Sequence, residues 1–91
     1  MVNAIVLANV KRDAINETAQ TLLTLTGVSE VYSVAGEWDL VIMIRVNENE
    51  QLADLITDKL LKVHGIIKTT TLMGFRAYSN HDLDRMFTLG L

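Results

Sequence analysis

The chain has 91 residues and a net charge of −3, from 8 lysines and arginines against 11 aspartates and glutamates; this is one small domain, and the balance opposes binding to nucleic acid, whose phosphate backbone selects clustered positive charge. At 49% hydrophobic and 21% charged it is globular rather than disordered, and the absence of cysteine excludes disulfides, thiolate metal centres and a cysteine nucleophile. No run approaches the roughly 18 apolar residues of a membrane span, and no secretory leader pattern opens the chain, so a cytoplasmic protein with no membrane partner is expected.

The first predicted element is a strand over Val2–Val10, apolar nearly throughout. Lys11-Arg12-Asp13 breaks it, with Asp13 a suitable helix N-cap. Ile15, Ala19, Leu22 and Leu23 then follow the spacing of an amphipathic helix, stopped at Gly27. Val28–Ala35 reads as a second strand, Gly36-Glu37-Trp38-Asp39 as a turn and Leu40–Val46 as a third strand; so short a connection predicts an antiparallel hairpin. Asn47 with Glu50 has the form of a capping box, and Leu52, Leu55, Ile56, Leu60 and Val63 mark one face of a second helix that Gly65 stops. Ile66–Tyr78 is expected as a long last strand containing Thr69-Thr70-Thr71. Asn80 suits the cap of a short terminal helix, with Asp82 and Asp84 in its first turn and Leu83, Met86 and Phe87 on its apolar side. The resulting order, β-α-β-β-α-β, predicts an α+β, ferredoxin-like domain over residues 1–91.

In that arrangement both helices cover one face of the sheet, and the strands should alternate apolar with polar. They do not. The first strand has Val2, Ala4, Val6, Ala8 and Val10 on one side and Ile5 and Leu7 on the other; the third has Leu40, Ile42, Ile44 and Val46 against Val41 and Met43. Leaving such side chains in water forgoes on the order of 1.5–3 kcal/mol each. A terminal helix could shield part of this second face, but the area involved favours a sheet from a second copy, hence a homodimer.

Chemistry-bearing residues are sparse. His64 and His81 lack the helical partner spacing of a metal site, and the acidic residues after His81 belong in a helix first turn. Ser29, Ser33 and Ser79 lie in no nucleophile elbow, the pair Glu37 and Asp39 shows no sign of burial, and no glycine-rich phosphate cradle is present. No catalytic residue, metal site or cofactor is expected. The turn is different: Gly36 leaves its amide open to a ligand, Trp38 is the single tryptophan, and Asp39 suits either an incoming ammonium group or the locking of the turn itself. The same residues also make an ordinary hairpin turn. Thr69 and Thr71 share one face of the last strand and Thr70 the other; strand propensity explains the run, and paired hydroxyls could equally bind a carboxylate or an amide.

Taken in order, Val34-Ala35-Gly36-Glu37-Trp38-Asp39-Leu40, the apolar strand, the capped helix, Val63-His64-Gly65-Ile66 and Thr69-Thr70-Thr71 resemble the effector-binding (RAM) domain of the Lrp/AsnC transcription regulators over nearly the whole chain. The resemblance implies a ferredoxin-like domain paired sheet to sheet into a dimeric α+β barrel, assembly of dimers into rings, often octamers, and an amino acid effector bound between dimers. It also implies that Gly36 and Asp39 hold the effector's charged ends, with Thr69 and Thr71 near the pocket; Trp38 stands where the family usually has tyrosine or phenylalanine. Gly36, Trp38, Asp39, Thr69, Thr70 and Thr71 are thus the candidate ligand-binding set, while Ile67 and Leu72 depart from the family pattern. The helix-turn-helix domain usual in the family is not in this sequence. The expectation is a stand-alone, homo-oligomeric sensing module that acts with a full-length regulator of the same family. Two other readings share the chain order. One is a small enzyme on the same dimeric barrel, such as a cofactor-free monooxygenase, with Asn3, Asn9, Arg45 and Arg76 as polar candidates. The other is an ACT-type domain, against which Val10-Lys11-Arg12-Asp13 lacks the expected glycine.

Overall fold

The computed structural model describes residues 1–78 and Asn80. The elements are β1 (Val2–Val10), α1 (Ile15–Leu23), β2 (Val28–Ser33), β3 (Leu40–Val46), α2 (Asn49–Asp54) and β4 (Ile66–Gly74). Beyond Asp54 the second helix widens into a π turn over Leu55–Lys59 and closes in a tight 3₁₀ turn over Leu60–Lys62. The sheet is antiparallel throughout, in the order β2-β3-β1-β4. This is the ferredoxin-like α+β arrangement expected from the pattern of apolar residues.

The core forms where one parity of the central strands meets both helices. Ala4, Val6, Ala8 and Val10 of β1 and Leu40, Ile42 and Ile44 of β3 are buried with Leu22 of α1 and Leu52, Leu55 and Leu60 of the second helical segment. One polar side chain joins them. Thr18 is 1% exposed, and its hydroxyl donates to the His64 carbonyl at 2.9 Å, tying α1 to the connection that enters β4. A Thr18→Val substitution keeps the volume and orphans that carbonyl, so a loss of about 1–2 kcal/mol is expected, read as a lower urea midpoint with an unchanged slope.

Several boundaries differ from expectation, each for a local reason. Asp13 is exposed and Ala14 occupies the N-cap of α1 with no side-chain cap, because the Lys11 carbonyl accepts the Ala14 amide at 3.0 Å and sets the helix entry one residue later. Leu23, placed on the apolar stripe, is 51% exposed, and Thr18 takes the inward position instead. The second helix is capped at Glu48 rather than Asn47: Gln51, not Glu50, reaches back, its Oε1 accepting the amides of Asn47 at 2.9 Å and Glu48 at 3.1 Å. β2 stops at Ser33 and β4 at Gly74, short of Ala35 and Tyr78; past Gly74 the backbone leaves the ladder, and Phe75 is fully exposed. Apart from Asn80 itself, the expected terminal helix, with His81, Asp82, Leu83, Asp84, Met86 and Phe87, lies outside the described residues, as does Ser79.

Candidate functional site

The strand register defines what the second sheet face carries. Asn3, Ile5, Leu7 and Asn9 of β1 stand beside Val41, Met43 and Arg45 of β3 and Lys68, Thr70 and Leu72 of β4, with Glu30 and Tyr32 of β2 at the far edge. Ile5, Leu7, Val41, Met43 and Leu72 form an apolar band, and among the described residues both helices pack on the opposite face. Polar groups bound the band. At one end the Arg45 guanidinium Nε donates to Asn3 Oδ1 at 3.0 Å. At the β2 edge the Tyr32 hydroxyl donates to Glu30 Oε2 at 2.7 Å, and that bond, with the carboxylate's charge, holds the phenol above its ordinary pKa.

The Gly36–Asp39 turn lies at the other end of this face. β3 begins at Leu40 opposite Ala8, so the last residues of β1 have no strand partner on that side. The turn supplies one. Asp39 donates its amide to the Ala8 carbonyl at 3.0 Å, and its Oδ2 accepts the Val10 amide at 2.9 Å. Val34 N–H to Asp39 C=O closes the hairpin at 3.0 Å, and the Asn9 side-chain amide donates to the Glu37 carbonyl at 2.9 Å. The Lys68 ammonium sits 5.6 Å from the centre of the half-buried Trp38 ring, within cation–π range. Gly36 is exposed at φ +115° with open space where a Cβ would stand. A Gly36→Ala substitution therefore meets backbone strain alone, an expected loss of about 1–2 kcal/mol, measurable by thermal melting.

Gly36, Trp38 and Asp39 are thus brought together, but the threonines are divided. Thr70 faces the same side as Lys68, paired with Leu7, whereas Thr69 and Thr71 pair with Ala8 and Val6 on the helix side. The thickness of the sheet separates those two from the Trp38–Lys68 contact. Two residues at the turn were not singled out for it from sequence, Asn9 and Lys68. Asn9 had a signal, an amide in an otherwise apolar strand; Lys68 had none, since a lysine on an edge strand is ordinary. A cleft of about 450 Å³ opens at the opposite end of the sheet, lined by Gly27, Val46 and Leu55 together with Arg45, and includes none of the candidate ligand-binding residues.

Comparison with known proteins decides the family. The model of the Lrp/AsnC ligand binding domain matches residues 3–83. The chain belongs to this family. Among curated relatives, an uncharacterized HTH-type transcriptional regulator of Pyrococcus horikoshii is 37% identical over 59 residues, covering 65% of this chain and 39% of that protein. A second, the regulator FL11 of Pyrococcus furiosus, is 28% identical over 75 residues, covering 82% of this chain and 49% of that protein. The Lrp/AsnC domain described here therefore spans less than half the length of these relatives. Among solved structures, a Thermus thermophilus protein superposes with a TM-score of 0.80 at 37% identity, covering 87% of this chain and 99% of that one. A hypothetical protein of Pyrococcus horikoshii gives 0.79 at 30% identity, covering 89% and 98%. AsnC of E. coli, at 19% identity, shares the fold with a TM-score of 0.79, over 86% of this chain and 53% of that one.

Proposed function

We propose that this Lrp/AsnC domain is a non-catalytic, cytoplasmic sensing module. It binds a small molecule, an amino acid, at the Gly36–Asp39 turn. It self-associates through the open sheet face into a dimeric barrel and larger rings, and it modulates transcription together with a full-length regulator of its family. The observation that carries this reading is the apolar band of Ile5, Leu7, Val41, Met43 and Leu72 on a sheet whose other side is already filled. Water-exposed area of that kind is stabilised by a second copy, and the turn at its end then lies where assembled copies meet. A ligand that prefers one assembly over another shifts the equilibrium between them, which is the physical content of sensing.

The non-catalytic reading draws support from the polar residues of the same face. Asn3 and Arg45 engage each other, and Asn9 engages the Glu37 carbonyl. Neither these three nor Arg76, the other polar candidate of the barrel-enzyme alternative, is a general base, and the carboxylate on this face, Glu30, lies at the β2 edge engaged by the Tyr32 hydroxyl.

The test is titration calorimetry against the twenty amino acids, with sedimentation velocity on the same samples. Binding of at least one of them, and a dimer or larger particle at micromolar concentration, are expected. No heat from any amino acid, together with an assembly that none of them changes, defeats the proposal.

A further inference from the structure

The second helical segment departs from α geometry where it borders the cleft at the far end of the sheet from the turn. Its core positions explain why. A regular helix counted on from Leu52 brings Lys59 inward two turns later, and burying an unpaired ammonium is costly. The π turn over Leu55–Lys59 inserts one residue, so Leu60 takes that position instead and is buried with Leu52 and Leu55. The same insertion changes what borders the cleft. From Gln51 the α spacing leads through Asp54 and Leu55 to Asp58, whereas the helical residues lining the cleft are Gln51, Asp54, Leu55 and Lys59. An acidic position on the wall is thereby replaced by a basic one.

The charged side chains of the lining are then Arg45, Lys59 and Asp54, a net positive site on a chain whose net charge is −3. Arg45 is held by one edge: its Nε donates to Asn3 Oδ1 at 3.0 Å, which leaves the two Nη groups for another acceptor. Val46 and Leu55 give the same cleft an aliphatic wall beside Gly27, and its volume of about 450 Å³ is that of a small-molecule pocket. Gly27 keeps that wall closed up, since a Cβ there would stand 2.9 Å from Val46 Cγ1 and 3.1 Å from Leu55 Cδ2. We propose that the cleft is a second binding site, separate from the turn, for a small carboxylic acid anion with a short aliphatic body. The carboxylate meets Arg45 and Lys59 through charge-assisted hydrogen bonds. The aliphatic body lies on Val46 and Leu55, out of water. Asp54 limits the excess to one positive charge, which suits a monoanion and opposes a dianion.

The experiment titrates the isotope-labelled chain with isovalerate and, separately, with isoamyl alcohol, which has the same skeleton and no charge, and follows the backbone amides by NMR. The amides of Gly27, Val46 and Leu55 should shift saturably with isovalerate while those of Gly36–Asp39 stay in place. The alcohol should bind at least about fivefold more weakly, because it gives the two cations nothing to neutralise. Lys59→Gln should weaken isovalerate binding about tenfold and Lys59→Arg should restore it to within about twofold. The Lys59 side chain is exposed, so neither change disturbs the core. Asp54→Asn removes the one opposing charge and should tighten binding about twofold. No saturable shift at the cleft, equal affinity for acid and alcohol, or full affinity in Lys59→Gln would overturn the proposal. The readout is local, so it decides the cleft whether or not the turn binds an amino acid.

Discussion

On the dimer proposed above, replacing Ile5 with aspartate should yield monomers without unfolding the domain. Ile5 sits in the middle of the open face, opposite Met43 on β3 and Leu72 on β4, and it is absent from the core that the helices cover. Ile5 is half-buried in the single chain, so a carboxylate there still reaches water and costs the fold far less than it costs an assembly. In a face-to-face assembly the same group is desolvated without a partner, and two-fold symmetry introduces it twice. An uncompensated buried charge costs about 3–5 kcal/mol, so association should weaken by more than about a thousandfold. Sedimentation velocity at tens of micromolar reads the result, with far-UV circular dichroism as the check on folding. A parent chain that sediments as a monomer, or an Ile5→Asp chain that still dimerises, is incompatible with an interface on this face.

Gly65→Ala tests the other side of the sheet and should be the most damaging glycine-to-alanine change among the described residues. Gly65 is buried at φ +101°, and an added Cβ would overlap the Thr18 hydroxyl while meeting Val10 and Ala14 at ordinary contact distance. Three costs combine: left-handed strain of about 1–2 kcal/mol, overpacking of about 1–3 kcal/mol, and disruption of the Thr18–His64 bond, about 1 kcal/mol. A loss of roughly 3–6 kcal/mol is comparable to much of the stability of a domain this small. Thr18→Ala removes the overlap, so adding Gly65→Ala in that background should cost only the strain, close to the effect of Gly36→Ala. Equal losses in both backgrounds, measured by urea unfolding, would mean that the Thr18 contact contributes nothing.

How far the molecule was legible in its residues depended on the range of the interaction. The element order and the two-faced strands follow from side-chain period alone, and β1 and β3 carry it over seven or more consecutive residues. The caps depended on which of two adjacent side chains reaches back, Glu50 or Gln51, and on a carbonyl from Lys11, neither of which a pattern of residue types resolves. The end of β4 was overestimated because Phe75 and Tyr78 are strand-favouring residues and propensity carries no information on where a neighbour ends. At the turn, the pattern singled out Gly36, Trp38 and Asp39 and left the role of Asp39 open. The bond to Val10 is invisible in sequence because it depends on β3 starting two residues short of the β1 end. The threonines show the reverse case: alternation placed Thr70 apart from Thr69 and Thr71, and only the register with β1 says which side each occupies.

The central place of β1 has a consequence for the nascent chain. It is made before the other three strands of the sheet, yet it stands between β3 and β4, and its last partner residues extend to Gly74. At about 5–20 residues per second of synthesis, several seconds separate its emergence from the arrival of both neighbours. During that interval a segment greasy on each flank waits with one or both edges unsatisfied, a ready client for a chaperone and a ready seed for misassembly. Slowing translation between the third and fourth strands should therefore lower the yield of folded protein, even with every amino acid unchanged.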